Sequence, residues 1–175
     1  MSQANILIDK DGIPHIAGLG NVAILPQSTA WTVEGRTSAD RLSRRRAPEL
    51  TCPGMLPNAN DPTHPTGASD MYSFGVMTWE VCVGRLCVIF SVVRFAHSRQ
   101  VLTGRLPFPE MTEIAATYSM MSGARPPRPG HREISDRVWY MIERCWHNVP
   151  SKRMPAGEVV DLVETELRCT SDSQT

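Results

Sequence analysis

The longest stretch of the chain without a polar face starts after Ser69. Met71-Tyr72-Ser73-Phe74-Gly75-Val76-Met77-Thr78-Trp79 is apolar nearly all round a helical wheel. A helix of that kind is buried on every side, so this segment is expected to be the central post of the domain. Ser69 suits its N-cap and Asp70 its first turn. Three amphipathic helices follow. Thr112 to Met121 carries Ile114, Tyr118 and Met121 as its apolar face, and Gly123 is placed to end it in the left-handed conformation. In Ser135 to Trp146, the residues Val138, Met141, Ile142, Cys145 and Trp146 fall at i, i+3, i+4, i+7 and i+8. Ser135 suits the cap there, with Ile134 and Trp139 spaced as a hydrophobic staple. Pro155 to Leu167 opens with proline in its first turn and presents Val159, Leu162, Val163 and Leu167.

Ahead of the central post the pattern is different. Asn5-Ile6-Leu7-Ile8 and Pro14-His15-Ile16-Ala17 flank Asp9-Lys10-Asp11-Gly12, two short apolar runs around a turn, which predicts a β-hairpin. Gly18 to Asn60 has no sustained periodicity and is rich in Ser, Thr, Pro, Gly and Arg; it reads as a long loop, functional or disordered. The expected fold class is mainly α, with a small β-hairpin near the N-terminus and a buried central helix.

Composition narrows the function classes. The 175 residues are 41% apolar and 21% charged, which is globular and enough for one domain with its own core. The 18 basic side chains balance the 18 acidic ones, so no global field draws nucleic acid or an anionic membrane. The five cysteines, Cys52, Cys82, Cys87, Cys145 and Cys169, form no Cys-x-x-Cys pair, and their odd number argues against a disulfide framework. The first residues lack the basic start and apolar run of a signal peptide. An intracellular, cytoplasmic, reduced protein is expected. Met71 to Val93 has roughly the length of a membrane span. However, Glu80 and Arg85 near its middle would each cost about 2.5–3.5 kcal/mol in a bilayer. A buried helix followed by an apolar insertion is favoured, and no membrane partner is expected. His15, His64, His97, His131 and His147 show no metal-ligand spacing. Arg41, Arg44, Arg45 and Arg46 form a basic cluster that reads either as a phosphate-binding patch or import signal, or as a solvated loop. Zero net charge and the lack of interleaved aromatics disfavour nucleic acid as a partner.

Four motifs in one order carry a resemblance. These are Asn5-Ile6-Leu7-Ile8-Asp9, Ala47-Pro48-Glu49, Ser69-Asp70-Met71-Tyr72-Ser73-Phe74-Gly75-Val76, and Cys145-Trp146 followed by Pro150-Ser151-Lys152-Arg153-Met154-Pro155. Together they resemble the C-terminal lobe of a protein kinase in the tyrosine-kinase-like style, from Asn5 to about Leu167. In that family the first motif ends the catalytic loop, and its asparagine holds a magnesium ion. The second closes the activation segment, the third begins the central helix, and the last closes the domain.

The departures fall on the chemistry. Counting back from Asn5, Met1 takes the leucine place of His-Arg-Asp-Leu-x-x-x-Asn, so the catalytic base would fall before the first residue. Ser2 stands where a lysine is common. The Asp-Phe-Gly place reads Gly18-Leu19-Gly20, and glycine has no carboxylate for the ion that bridges the β- and γ-phosphates. The Gly-rich loop, the phosphate-pairing lysine and its glutamate partner are not found in the chain. No catalytic residue is therefore assigned, and Asn5 is at best a vestigial metal ligand. No cofactor is expected, with ATP and magnesium reserved for the case of a complete kinase.

The resemblance also implies structural roles. Glu49 of Ala-Pro-Glu is expected to meet Arg153 and pin the activation segment to the helical core. Asp70 accepts catalytic-loop N–H groups in the family; those donors would fall mostly before Met1, so here it is expected to keep only its helix N-terminal role. Between Glu80 and Val101 the family pattern is interrupted. Trp79-Glu80 is continued by Val101-Leu102-Thr103-Gly104-Arg105-Leu106-Pro107-Phe108 only after Val81 to Gln100. Val81-Cys82 can be encoded by GTATGT and Gln100 by CAG, which suits an intron translated in frame. The rival is a duplication, because Val81-Cys82-Val83-Gly84-Arg85-Leu86 has the Val-x-x-Gly-Arg-Leu form of Val101 to Leu106.

The expected organisation is a partial kinase-like domain over residues 1–168, with 81–100 an atypical insertion and 169–175 a polar tail. The favoured function is an inactive, pseudokinase-like C-lobe fragment that binds protein partners. One alternative is part of a true ATP-dependent kinase whose N-lobe and catalytic Asp are missing from the gene model. The other is a non-functional gene fragment.

Overall fold

The computed structural model describes residues 6–11, 13–16, 44–51, 65–83, 106–129 and 134–172. Strands β1 (Ile6–Ile8) and β2 (Pro14–Ile16) pair antiparallel, with Leu7 opposite His15. The helices are α1 (Pro48–Thr51), α2 (Gly67–Val83), α3 (Glu113–Met121), α4 (Asp136–Cys145) and α5 (Ala156–Asp172), with a 3-10 turn at Pro150–Lys152 before α5. The described part is mainly helical.

Helix α2 starts three residues earlier than the sequence pattern placed it. The Thr66 N–H donates to Ser69 Oγ (2.9 Å) and the Ser69 N–H donates to Thr66 Oγ1 (3.1 Å). Reciprocal bonds of this kind satisfy two of the donors a helix start leaves without partners. Thr66 is therefore the cap, and Ser69 sits inside the first turn. From there Tyr72, Val76, Met77, Trp79 and Glu80 are all buried.

The core forms where α2 crosses α4. Gly75 permits the approach: a Cβ there would lie 2.8 Å from Cys145 Cβ and 3.1 Å from the Trp146 backbone nitrogen. On α4, Ser135 Oγ accepts from the Val138 N–H and caps the helix. Met141, Ile142 and Cys145 then point into the core, with Trp146 just beyond the helix end. Trp139 meets Trp146 edge to face at 5.9 Å between centroids, a preferred aromatic geometry. Burial pushes the Cys145 thiol up to about 12, so it stays protonated and packs as a small apolar group.

Two expectations about helix faces are corrected. Helix α3 buries Ala116, Thr117 and Met120, whereas Ile114 and Tyr118 are 57% and 48% exposed. Its small residues permit close packing, so tertiary fit overrides the stronger apolar stripe. Gly123 does end α3 at φ +97, and the Ala124 N–H bonded to the Ser119 carbonyl at 2.9 Å completes a Schellman motif. Helix α5 runs on to Asp172, so residues 169–172 of the expected polar tail are helical. It buries Val159 and half-buries Leu162, but Val163 and Leu167 face outward. The interrupted region begins in order, since Val81–Val83 finish α2; residues 84–105 lie outside the described residues. No helix among the described residues is long and apolar enough to cross a membrane.

Candidate functional site

Ala47 is fully buried, and its carbonyl accepts from the N–H groups of Leu50 and Thr51 and from Thr51 Oγ1. That single turn aims Glu49 inward. There it meets Arg153, which follows the 3-10 turn. Arg153 Nη1 donates to Glu49 Oε1 at 2.6 Å and Nη2 donates to Oε2 at 2.7 Å, across 104 positions of sequence. The two side chains are 1% and 6% exposed. The rest of the guanidinium fork is used as well: Nε donates to the His147 carbonyl, Nη1 to that of Ala68 and Nη2 to that of Asn148. All five donors of an arginine are thereby satisfied, which a charge removed from water requires.

Tyr72 has two guanidinium groups near its ring, with Arg153 Cζ 5.1 Å and Arg125 Cζ 5.3 Å from the centroid. These distances suit cation–π attraction to both cations. Its hydroxyl is buried and has no hydrogen-bond partner among the described residues. Burial pushes its ionisation up, opposed by the fields of Arg125 and Arg153. Arg125 itself donates to the Met120, Ala124 and Trp146 carbonyls and to Asn148 Oδ1. It thus places positive charge at the C-terminal ends of α3 and α4, where the helix dipoles favour it. Desolvation lowers its pKa, and the field of Tyr72 opposes the fall.

Arg44 and Arg45 are structural, which corrects the reading of a solvated loop for these two residues. Arg44 is buried. Its Nε donates to Glu113 Oε2 (2.8 Å), its backbone N–H to Glu113 Oε1 (3.0 Å), Nη1 to the Pro107 and Phe108 carbonyls, and Nη2 to that of Met111. Phe108 has φ 51, a backbone state that bulky residues occupy only when their surroundings hold them there. Arg44 supplies that hold. Arg45 Nε donates to both carboxylate oxygens of Glu80 at 2.9 Å, and Glu80 is fully buried. Burial raises the Glu80 pKa, and the Arg45 bond and charge oppose the rise. Sequence reasoning missed Arg44, Arg45, Glu80, Glu113 and Arg125 as partners. A carboxylate inside an otherwise apolar helix was the available signal, because a buried charge needs a counter-charge.

The remaining candidates are placed as follows. Asp70 is exposed in the first turn of α2. Asp9 Oδ1 accepts from the Asp11 and Ile13 N–H groups, and Oδ2 lies 2.9 Å from His15 Nε2. The hydrogen bond to His15, followed by that from Ile13, holds the Asp9 carboxyl below its ordinary value. His147 Nδ1 accepts from the Val149 N–H. Asn5, Gly18, Arg41, His64, His97 and His131 lie outside the described residues. Among the described residues no group of three His, Cys, Asp or Glu side chains could hold a metal ion.

Comparison with known proteins agrees with this geometry. The family model for protein tyrosine and serine/threonine kinases matches residues 2–163. The chain is 28% identical over 102 residues to a dual serine/threonine and tyrosine protein kinase of Apis mellifera, covering 58% of this chain and 9% of that protein. It is 22% identical over 175 residues to the serine/threonine-protein kinase STY17 of Arabidopsis thaliana, covering 99% of this chain and 24% of that protein. With the megakaryocyte-associated tyrosine-protein kinase of Rattus norvegicus it shares 26% identity over 168 residues, 96% of this chain and 28% of that one. The chain therefore spans about a quarter or less of the length of the first two relatives. A match over nearly the whole chain, together with the buried Glu49–Arg153 pair that joins Ala-Pro-Glu to the closing motif, places this chain in the protein tyrosine and serine/threonine kinase family.

Proposed function

We propose that the chain is a kinase C-lobe scaffold that transfers no phosphoryl group and acts by binding a protein partner. The observation that carries this reading is the division between what is kept and what is changed. The ion pairs Glu49–Arg153, Glu80–Arg45 and Glu113–Arg44 hold the end of the activation segment against the helices. At the place of the family's metal-binding aspartate, Gly18 offers no carboxylate. Of the matched metal-binding places only Asn5 has a side-chain donor, and one neutral amide does not fit a magnesium ion that bridges two phosphates. No ATP, magnesium or other cofactor is assigned.

A second reading has its own support. Asn5-Ile6-Leu7-Ile8-Asp9 keeps the catalytic-loop form, and the relatives are named as kinases. Under that reading the chain is part of an ATP-dependent kinase whose other parts are encoded elsewhere. Upstream DNA encoding a Gly-rich loop and a catalytic-loop Asp would favour this second reading. Thermal melting with and without millimolar Mg·ATP tests the first, since a ligand that binds the native state stabilises it. No change in Tm is expected. A magnesium-dependent rise would favour the kinase reading.

We also propose that residues 1–168 form one partial kinase domain interrupted by a retained intron at 81–100. Val81–Val83 occupy the last turn of α2; Val101 and Leu102 would supply apolar side chains in place of Val81 and Cys82, and Thr103 a side chain of valine's shape in place of Val83. Joining Glu80 to Val101 therefore leaves that turn intact and removes the apolar Leu86 to Val93 run. Such an orphan apolar run invites aggregation. The shortened chain should be the more soluble of the two and melt at least as high. Earlier unfolding or more precipitation would show that the segment belongs to the fold.

A further inference from the structure

We draw no further inference here: the strongest candidate, the outward face of α3 where Ile114 and Tyr118 stand exposed, is an unpartnered apolar face, and nothing in the structure shows what covers it.

Discussion

The Glu49–Arg153 pair and the Asp9–His15 pair both set a carboxylate against a side-chain nitrogen, in opposite settings. The first joins residues 104 positions apart and is withdrawn from water. The second joins residues six apart across a hairpin, with the histidine more than half exposed. Breaking the buried pair strands a charge without solvent and removes a link between distant parts of the chain. Breaking the exposed pair returns both groups to water, and the hairpin's backbone bonds still hold it. Burial, and not the presence of opposite charges, decides which contact maintains the fold.

The largest effect should come from the buried side of that comparison. Glu49→Gln and Arg153→Met are each expected to destabilise by about 3–5 kcal/mol, the cost of leaving one member of a buried pair alone, read from urea unfolding midpoints. Arg45→Met should act in the same direction, because it leaves the Glu80 carboxylate in the interior. A loss within the range of surface substitutions would make these arginines dispensable.

Next comes the close approach of α2 and α4. Gly75→Ala puts a methyl group 2.8 Å from Cys145 Cβ, with the Trp146 backbone close behind. Overpacking of that kind costs about 1–3 kcal/mol. Because the obstruction includes backbone, side-chain rotation cannot relieve it, and a lower Tm is expected. An unchanged Tm would mean that the helices separate at no cost.

The smallest effect belongs to the hairpin. Asp9 is held below its ordinary pKa, so its contribution is present above the unfolded carboxylate value and is lost as pH falls through the depressed folded value. In an NMR titration the Asp11 and Ile13 amide signals should therefore move only under acid conditions, below the ordinary value of 3.8. Asp9→Asn should leave the global Tm nearly unchanged. A drop as large as that from Gly75→Ala would give the exposed pair a global role.

The same contrast explains what was legible in the sequence. Helix α4 could be read almost entirely, because Ser135 caps it and its apolar spacing coincides with the face that packs on α2. Helix α3 could not, because two of the three residues that pack, Ala116 and Thr117, are small while the better apolar stripe, Ile114 and Tyr118, faces outward. Motif order located the partners Glu49 and Arg153. For Arg44 and Arg45 no local pattern existed: their carboxylates lie 69 and 35 residues away, and a run of arginines looks solvated until the fold supplies its partners. The start of α2 differs because Ser and Thr both cap helices, Ser the better of the two, and only the reciprocal bonds show that Thr66 does so here.

The most direct measurement is the coupling between Glu49 and Arg153. Unfolding free energies of the parent protein, Glu49→Gln, Arg153→Met and the double variant close a cycle that isolates the pairwise interaction. The double variant is expected to lose less than the sum of the singles by more than about 1 kcal/mol, as residues in direct contact do. Additive losses, within about 0.5 kcal/mol of the sum, would contradict the pin between the activation segment and the helical core.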